Sequence, residues 1–370
     1  MGPSLEATFI TPFAAAAGTI PLVLSRVALG AGEGVAFPAV HTLISRHVPI
    51  ERQSTAVAVA TAASYAGAAF AFGVTPHVVL AGGWESAFYT FGTAAVLWVP
   101  FWIPATFKVV SDRGRATGMT GGSKGPLGVG DDESRDSSRD GVKGDDDVVS
   151  EWLALVKTRE VRAICVAQFA QSWGGYGLLS WLPTYFDEAL GVPLGDMAAF
   201  TVLPYFIQGV VGVGSGIWAD NLRSEGKYSV KTIRRAFQTV GMVGPALCLL
   251  AAAYIGGGGG NASPLTAAIF VDVGLALSAL TLAGVSISHL DVAPRHAGLV
   301  FATGNLSATI AGLIAVPFSG LVLESTGESW SAVFGIIAGI YIVGAVVWCM
   351  WVGDKPVAED SLGGGEFTEG

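Results

Sequence analysis

The sequence predicts an all-α polytopic membrane protein. Three observations predict it. Apolar residues make up 51% of the 370-residue chain and charged residues 13%, against about 25% charged in a soluble domain. The charges avoid long stretches: residues 7–45 hold only Arg26 and Glu33, residues 53–107 only Glu85, and residues 236–290 only Asp272. Such stretches exceed the roughly 20 apolar residues that cross a bilayer, and they lack the charged outer stripe of a soluble amphipathic helix. Finally, the basic residues fall in one class of loop and avoid the other.

Ten spans are predicted, at 5–19, 20–44, 54–76, 86–107, 160–183, 197–219, 236–256, 264–288, 297–322 and 330–352. Glycine, with 51 residues, recurs inside these runs at small-xxx-small spacings. Such spacings let helix backbones approach closely in lipid. If successive spans alternate in direction, the loops at 45–53, 108–159, 220–235 and 289–296 share one side with both termini. Every Lys and Arg except Arg26 then lies on that side. The opposite loops, at 77–85, 184–196, 257–263 and 323–329, carry only acidic charges such as Glu85, Asp187 and Glu324. This asymmetry marks the basic side as cytoplasmic or its topological equivalent.

Residues 108–159 are rich in Gly, Ser and Asp and read as a disordered cytoplasmic loop. They divide an amino-terminal part, 1–107, from a carboxy-terminal part, 160–353, and 354–370 form a cytoplasmic tail. The two parts are weakly similar. Arg52, Gly67, Trp84 and Phe88 in one recur as Arg295, Gly312, Trp330 and Phe334 in the other. Internal repeats are characteristic of transporter folds.

Arg26 is the sharpest candidate functional residue. An Arg at the centre of a span costs about 2.5–3.5 kcal/mol on insertion scales, so it persists mostly where it meets an anion or a partner. Glu33 follows seven residues later, about 10.5 Å along a helix and close to two full turns, so the two share a face. A carboxylate held away from water favours its protonated form, which suits Glu33 to proton coupling or gating. A structural ion pair with neighbouring polar groups is the alternative. In the fifth span Gln168 and Gln171 share a face, with Trp173, Tyr176 and Trp181 nearby, and could bind a substrate's oxygens or bond to other helices. Asn305 poses the same choice. His41, His289 and Asp291 sit near the basic ends of spans, as interfacial contacts or gates. Cys165, Cys248 and Cys349 read as small buried apolar groups, with neither disulfide nor metal spacing. No P-loop or H-E-x-x-H pattern is present, so neither an ATP-driven pump nor a metalloprotease of that class is indicated. No metal site and no cofactor are expected. The reading is a secondary transporter of a small anion.

Four stretches carry a resemblance. They are Ala7-Thr-Phe-Ile-Thr-Pro-Phe-Ala-Ala15; Arg26 to His41, through Glu33-Gly34 and Pro38, followed by Glu51-Arg52-Gln53-Ser54; Gly216-Ile-Trp-Ala-Asp220-Asn-Leu-Arg223 with Arg234-Arg235; and Ser288-His289-Leu-Asp291-Val-Ala-Pro294, followed by Gly304-Asn305 and Gly312. In these the chain resembles the major facilitator superfamily, and within it the anion–cation symporter group. That group includes sodium–phosphate cotransporter-like proteins, sialin, vesicular glutamate transporters and plastid anion transporters. The resemblance implies a two-lobe bundle working by alternating access, with ten of twelve expected helices present. The match to the family's third helix at 7–15 implies an amino-terminally truncated member.

It further implies that Arg26 binds substrate, that Glu33 serves coupling or gating, and that Asp220 and Arg223 belong to a cytoplasmic gating network. The substrate would be inorganic phosphate or an organic anion, coupled to sodium or protons. Gln171 stands where glutamate-carrying members have Arg, which points away from them. Gln168, Gln171, Tyr176 and Asn305 complete the expected binding set. The chain is expected to be a multi-pass protein of a plastid or plasma membrane, with lipid and a small anion as partners. A non-transporting remnant or sensor is the alternative function.

Overall fold

In the computed structural model the described residues are 2–100, 145–189, 191, 197–256 and 264–353. Among them the structure is helical, without strands. In chain order the α-helices are α1 (Gly2–Ala17), α2 (Thr19–Glu33), α3 (Ala36–His47), α4 (Gln53–Gly82), α5 (84–100), α6 (Asp145–Lys157) and α7 (Arg159–Thr184). They continue as α8 (Met197–Ser224), α9 (Val230–Gly256), α10 (Pro264–Ser278), α11 (Val285–Val292), α12 (Ala297–Thr326) and α13 (Trp330–Trp351). Short 3-10 turns precede α4 at Ile50–Arg52 and α12 at Pro294–His296, and another separates α10 from α11 at Ala279–Ala283.

Each of the ten predicted spans is mainly helical in its described residues. Among the described residues, six stretches are long and apolar enough to cross a membrane: Thr19–His47, Ile50–Gly82, Val230–Ile255, Leu265–Val292, Pro294–Thr326 and Trp330–Trp351. Proline lies inside α1, α4, α7, α8, α9 and α12. Membrane helices tolerate it because neighbouring groups satisfy the freed carbonyls.

Three features differ from the sequence reading. The span expected at 20–44 is two helices, parted at Gly34–Val35. The span expected at 264–288 is likewise broken, at Ala279–Gly284. Here Gly284 leaves helical geometry (φ −100°, ψ −109°), and a Cβ on it would sit 2.5 Å from Gln238 Oε1 and 3.1 Å from Gln238 Cα. Only glycine lets α9 pass this close to the break. Thirdly, residues 145–157, placed in the linker by composition, form α6. Their apolar side chains recur on one face, and Leu155 is buried at 2% exposure beside Val161, Ile164, Val292 and Trp348. Trp152 Nε1 donates to Thr303 Oγ1 at 2.9 Å. Residues 108–144 of the expected loop, and the tail at 354–370, lie outside the described residues.

The helices form two compact units, Met1–Ala36 with Thr75–Val149, and Phe37–Val74 with Ser150–Gly370. The sequence reading had kept all of 1–107 together. The second unit gains residues 37–74 because the start of α4 is bonded and packed against α8 and α9. In the first unit α1 packs on α5 through Phe9 against Gly92 and through an edge-on Phe13–Tyr89 pair at 6.4 Å. In the second, the main core joins α7, α9, α10, α12 and α13 around Trp173, Tyr185, Met242, Phe334 and Tyr341.

The internal repeat is visible in local structure. Both α4 and α12 are 30 residues long. Each follows a 3-10 turn that contains Arg52 or Arg295, and each precedes a helix that opens with a tryptophan. The Trp84–Phe88 rings meet at 5.8 Å and the Trp330–Phe334 rings at 6.2 Å.

Candidate functional site

Arg26 and Glu33 lie on α2 in the first unit. Arg26 donates to Thr11 Oγ1, and its guanidinium lies 5.1 Å from the centre of the Phe88 ring. A hydroxyl and a ring face of neighbouring helices thus partner the cation. Glu33 ends α2, one residue before the Gly34 break, and is exposed. The burial expected of it is absent, as it is for every residue of α2.

The second unit holds a partly open cavity of about 290 Å³. Its walls are Tyr65 of α4; Gln171, Ser172 and Tyr176 of α7; Tyr205 and Gln208 of α8; Leu275 and Ser278 of α10; and Tyr341 of α13. None of its lining residues is charged. The cavity therefore offers hydroxyls, amides and aromatic faces, the few directed polar groups that fix a ligand's orientation in a mostly apolar pocket.

Two of its glutamines are held by the end of α10. Gln171 Nε2 donates to Thr281 Oγ1, and Gln208 Nε2 donates to Leu275 O at 3.0 Å and to Ser278 Oγ at 3.2 Å. A third, Gln238 of α9, accepts from Val285 N at 2.9 Å and so caps α11. Three neighbouring helices each spend one glutamine on the α10–α11 break. The exposed backbone groups at a break need such partners inside a membrane.

The structure brings together Gln171 and Tyr176 of the predicted set, but not Gln168 or Asn305. Gln168 is buried against Gly304, where a Cβ would lie 2.7 Å from its Oε1, so it fills the α7–α12 contact. Asn305 is exposed and outside the cavity lining. Tyr65, Tyr205, Gln208 and Tyr341 were missed. Their signal would have been the recurrence of Tyr and Gln inside otherwise apolar spans.

A second polar cluster lies nearer the basic end of the same helices. Asp220, 6% exposed, accepts from Ser54 N at 3.1 Å, Thr55 N at 2.7 Å and Thr55 Oγ1 at 2.6 Å. It therefore caps α4 from α8, with its charge at the positive end of the α4 dipole. The approach needs Gly216, since a Cβ there would sit 2.8 Å from Ser54 O and 2.7 Å from Ala58 Cβ. Asp291 of α11 accepts from Arg223 Nη1 at 3.0 Å and Arg234 Nε at 2.8 Å. Arg234, 1% exposed, reaches on from Nη1 to Ser54 Oγ at 3.0 Å and Ala283 O at 3.1 Å. Asp220 and Arg223 were expected in a gating network, and the structure joins them to Arg234 and Asp291 through Ser54. On α4 the cluster and the cavity are 11 residues apart (54 to 65), and on α8 they are 12 apart (208 to 220). That is about 16–18 Å along the helices.

The Major Facilitator Superfamily profile matches residues 4–302. The chain belongs to the Major Facilitator Superfamily. It is accordingly an integral, multi-pass membrane protein. Its similarity runs to probable anion transporter 1, chloroplastic, of Oryza sativa subsp. japonica, at 30% identity over 94% of this chain and 62% of that protein. Sodium-dependent phosphate transport protein 1, chloroplastic, of Arabidopsis thaliana is 30% identical over 94% of this chain and 64% of its own length. Human sialin is 31% identical over 93% and 66%. The chain thus spans about three fifths to two thirds of the length of these curated relatives. The fold of this superfamily member resembles that of the E. coli fucose:proton symporter, with a TM-score of 0.62 and 16% identity over 95% of this chain and 81% of that one. These relatives and neighbours are named as transporters, not enzymes.

Proposed function

We propose that this protein is a secondary transporter that moves a small anion across a membrane by alternating access, coupled to a sodium or proton gradient. The observation that carries the reading is the pairing, on the same helices, of an uncharged, hydroxyl- and amide-lined cavity with a buried ion-paired cluster about 16–18 Å nearer the basic end. The first suits reversible binding of a polar solute. The second suits an end of the pathway, here the cytoplasmic one, that closes tightly in one state. The names of the similar proteins, which include a phosphate and an ascorbate transporter, support an anion as cargo.

In this reading Arg26 supplies the anion's counter-charge and Glu33 the coupling or gating carboxylate, as the family resemblance implies. Gln171 and Tyr176 supply neutral hydrogen bonds. Gln168 would act through its packing against Gly304 rather than by touching substrate, and Asn305 lies outside the cavity lining. The lining favours an organic anion rich in hydroxyls over inorganic phosphate, because its four tyrosines and two glutamines match many weak donors and acceptors. Substituting Arg26→Ala tests the assignment. Uptake of the transported anion is expected to fall at least tenfold with membrane abundance unchanged. Uptake equal to wild type would remove Arg26 from the site.

A further inference from the structure

The buried histidines His41 and His289 play no part in the reading above, and their geometry is unusual. His41, on α3, is 3% exposed and His289, on α11, is fully buried. His289 Nε2 and His41 Nδ1 are 2.9 Å apart. The His41 ring stacks on Phe301 of α12 at 4.0 Å and 22°, and the His289 ring stands edge-on to His41 at 4.4 Å and 76°. His289 Nδ1 is buried with no hydrogen-bond partner.

A bond between two imidazole nitrogens needs one N–H and one lone pair. It survives with both rings neutral, or with one proton added. With both rings protonated each nitrogen is a donor, the bond is lost, and two positive charges face each other in a low-dielectric site. The surrounding charges sharpen this. Arg234 approaches from α9, already matched by Asp291, which Arg223 of α8 also shares. Asp220 of α8 is occupied by the α4 backbone. The 3-10 turn before α11 and the adjoining part of α12 bring no charge. Arg159, Glu160 and Arg162 stand at the start of α7, and Arg295 and His296 in the turn before α12. No described carboxylate is bonded to either ring to compensate a second proton.

The pair is also fastened to an apolar seal. Ile44, one turn beyond His41, packs with Val57, Ala297, Ile287 and Leu290, and the last two flank His289. Separating the two rings would therefore open this seal.

We propose that His41 and His289 form an acid-released latch at the basic end: a second proton, taken from the aqueous phase on that side, breaks the ring-to-ring bond and opens the seal around Ala297. This rests on the alternating-access reading, but its test needs no substrate. A cysteine is placed at Ala297, 2% exposed, in the full chain with Cys165, Cys248 and Cys349 replaced by alanine. Its labelling by a water-soluble maleimide is compared with that of a reference cysteine at the exposed Ser224. A second proton must enter a low-dielectric site, so it is as pH falls below the range in which an exposed histidine titrates that the ratio of labelling at 297 to labelling at 224 is expected to rise severalfold. In His289→Gln and in His41→Gln, which keep an uncharged hydrogen-bonding group, it is expected to stay flat. A flat ratio in the unmutated latch, or the same rise in either glutamine variant, overturns the proposal. Failure of anion uptake would leave this result untouched and bear only on the transport reading.

Discussion

At the scale of single residues, the tightest constraint is Arg234. It is 1% exposed and bonds Asp291, Ser54 and the Ala283 carbonyl through Nε and Nη1, while its buried Nη2 has no hydrogen-bond partner. A buried ion pair adds little net stability, but removing one partner strands a charge at a cost of about 3–5 kcal/mol. Asp291→Asn strands two, since Arg223 shares that carboxylate. The expected outcome is a clear fall in the melting temperature of the detergent-solubilised protein, while Arg223→Gln, at the exposed edge of the cluster, costs less. Equal effects would show that burial does not set the energetics here. Asp220 and Arg223 were legible in the sequence because they sit in a short motif with Gly216. The Arg234–Asp291 pair was not, because its partners are 57 residues apart and nothing local marks them. Gln171 was legible as a polar group in an apolar span. Its neighbour Gln168 carries the same signal and serves packing instead, and only the three-dimensional contact with Gly304 separates the two.

At the scale of elements, the apolar runs placed the long helices, six of which are long and apolar enough to cross a membrane among the described residues. What they could not place were the breaks. The α10–α11 break has no proline within 279–284, and its hydropathy is continuous. It is fixed by Gly284 beneath Gln238 and by glutamines from α7, α8 and α9. Gly284→Ala is expected to destabilise the protein by about 1–3 kcal/mol through overpacking, because the Gln238 backbone at 3.1 Å cannot step aside. Gly335→Ala in α13, where a Cβ meets nothing within 4 Å, is the control and is expected to be neutral or slightly stabilising. If both melt alike, the close approach at Gly284 is not what holds the break. Helix α6 was hidden for another reason. Its 13 residues follow a polar loop, and their composition outweighed the spacing of Val149, Trp152, Leu155 and Val156. Leu155→Ala should cost about 2–5 kcal/mol as a buried large-to-small change, read as a lowered melting temperature. A silent substitution would mean that α6 is not anchored through this side chain.

At the scale of the whole molecule, the superfamily was legible from four motifs spread over most of the chain. Membership explains why a chain this apolar still buries arginine, aspartate and histidine. Those groups cluster at the basic end, where they join α3, α4, α8, α9 and α11, and the cavity higher on the same helices is left neutral. A structural bundle has no use for such a division. A carrier does: one region must bind and release a solute while the other must close and open. The cargo and the coupling ion were not legible, since a neutral lining fits many hydroxylated solutes.

The central claim is that this protein moves an anion against its gradient. The most direct test is accumulation of labelled phosphate and of a panel of hydroxylated organic anions in liposomes containing the protein, with and without imposed sodium and proton gradients. The account predicts that one anion accumulates only when a gradient is imposed, and that Arg26→Ala abolishes it. Correctly folded protein that accumulates none of them under either gradient would contradict the account.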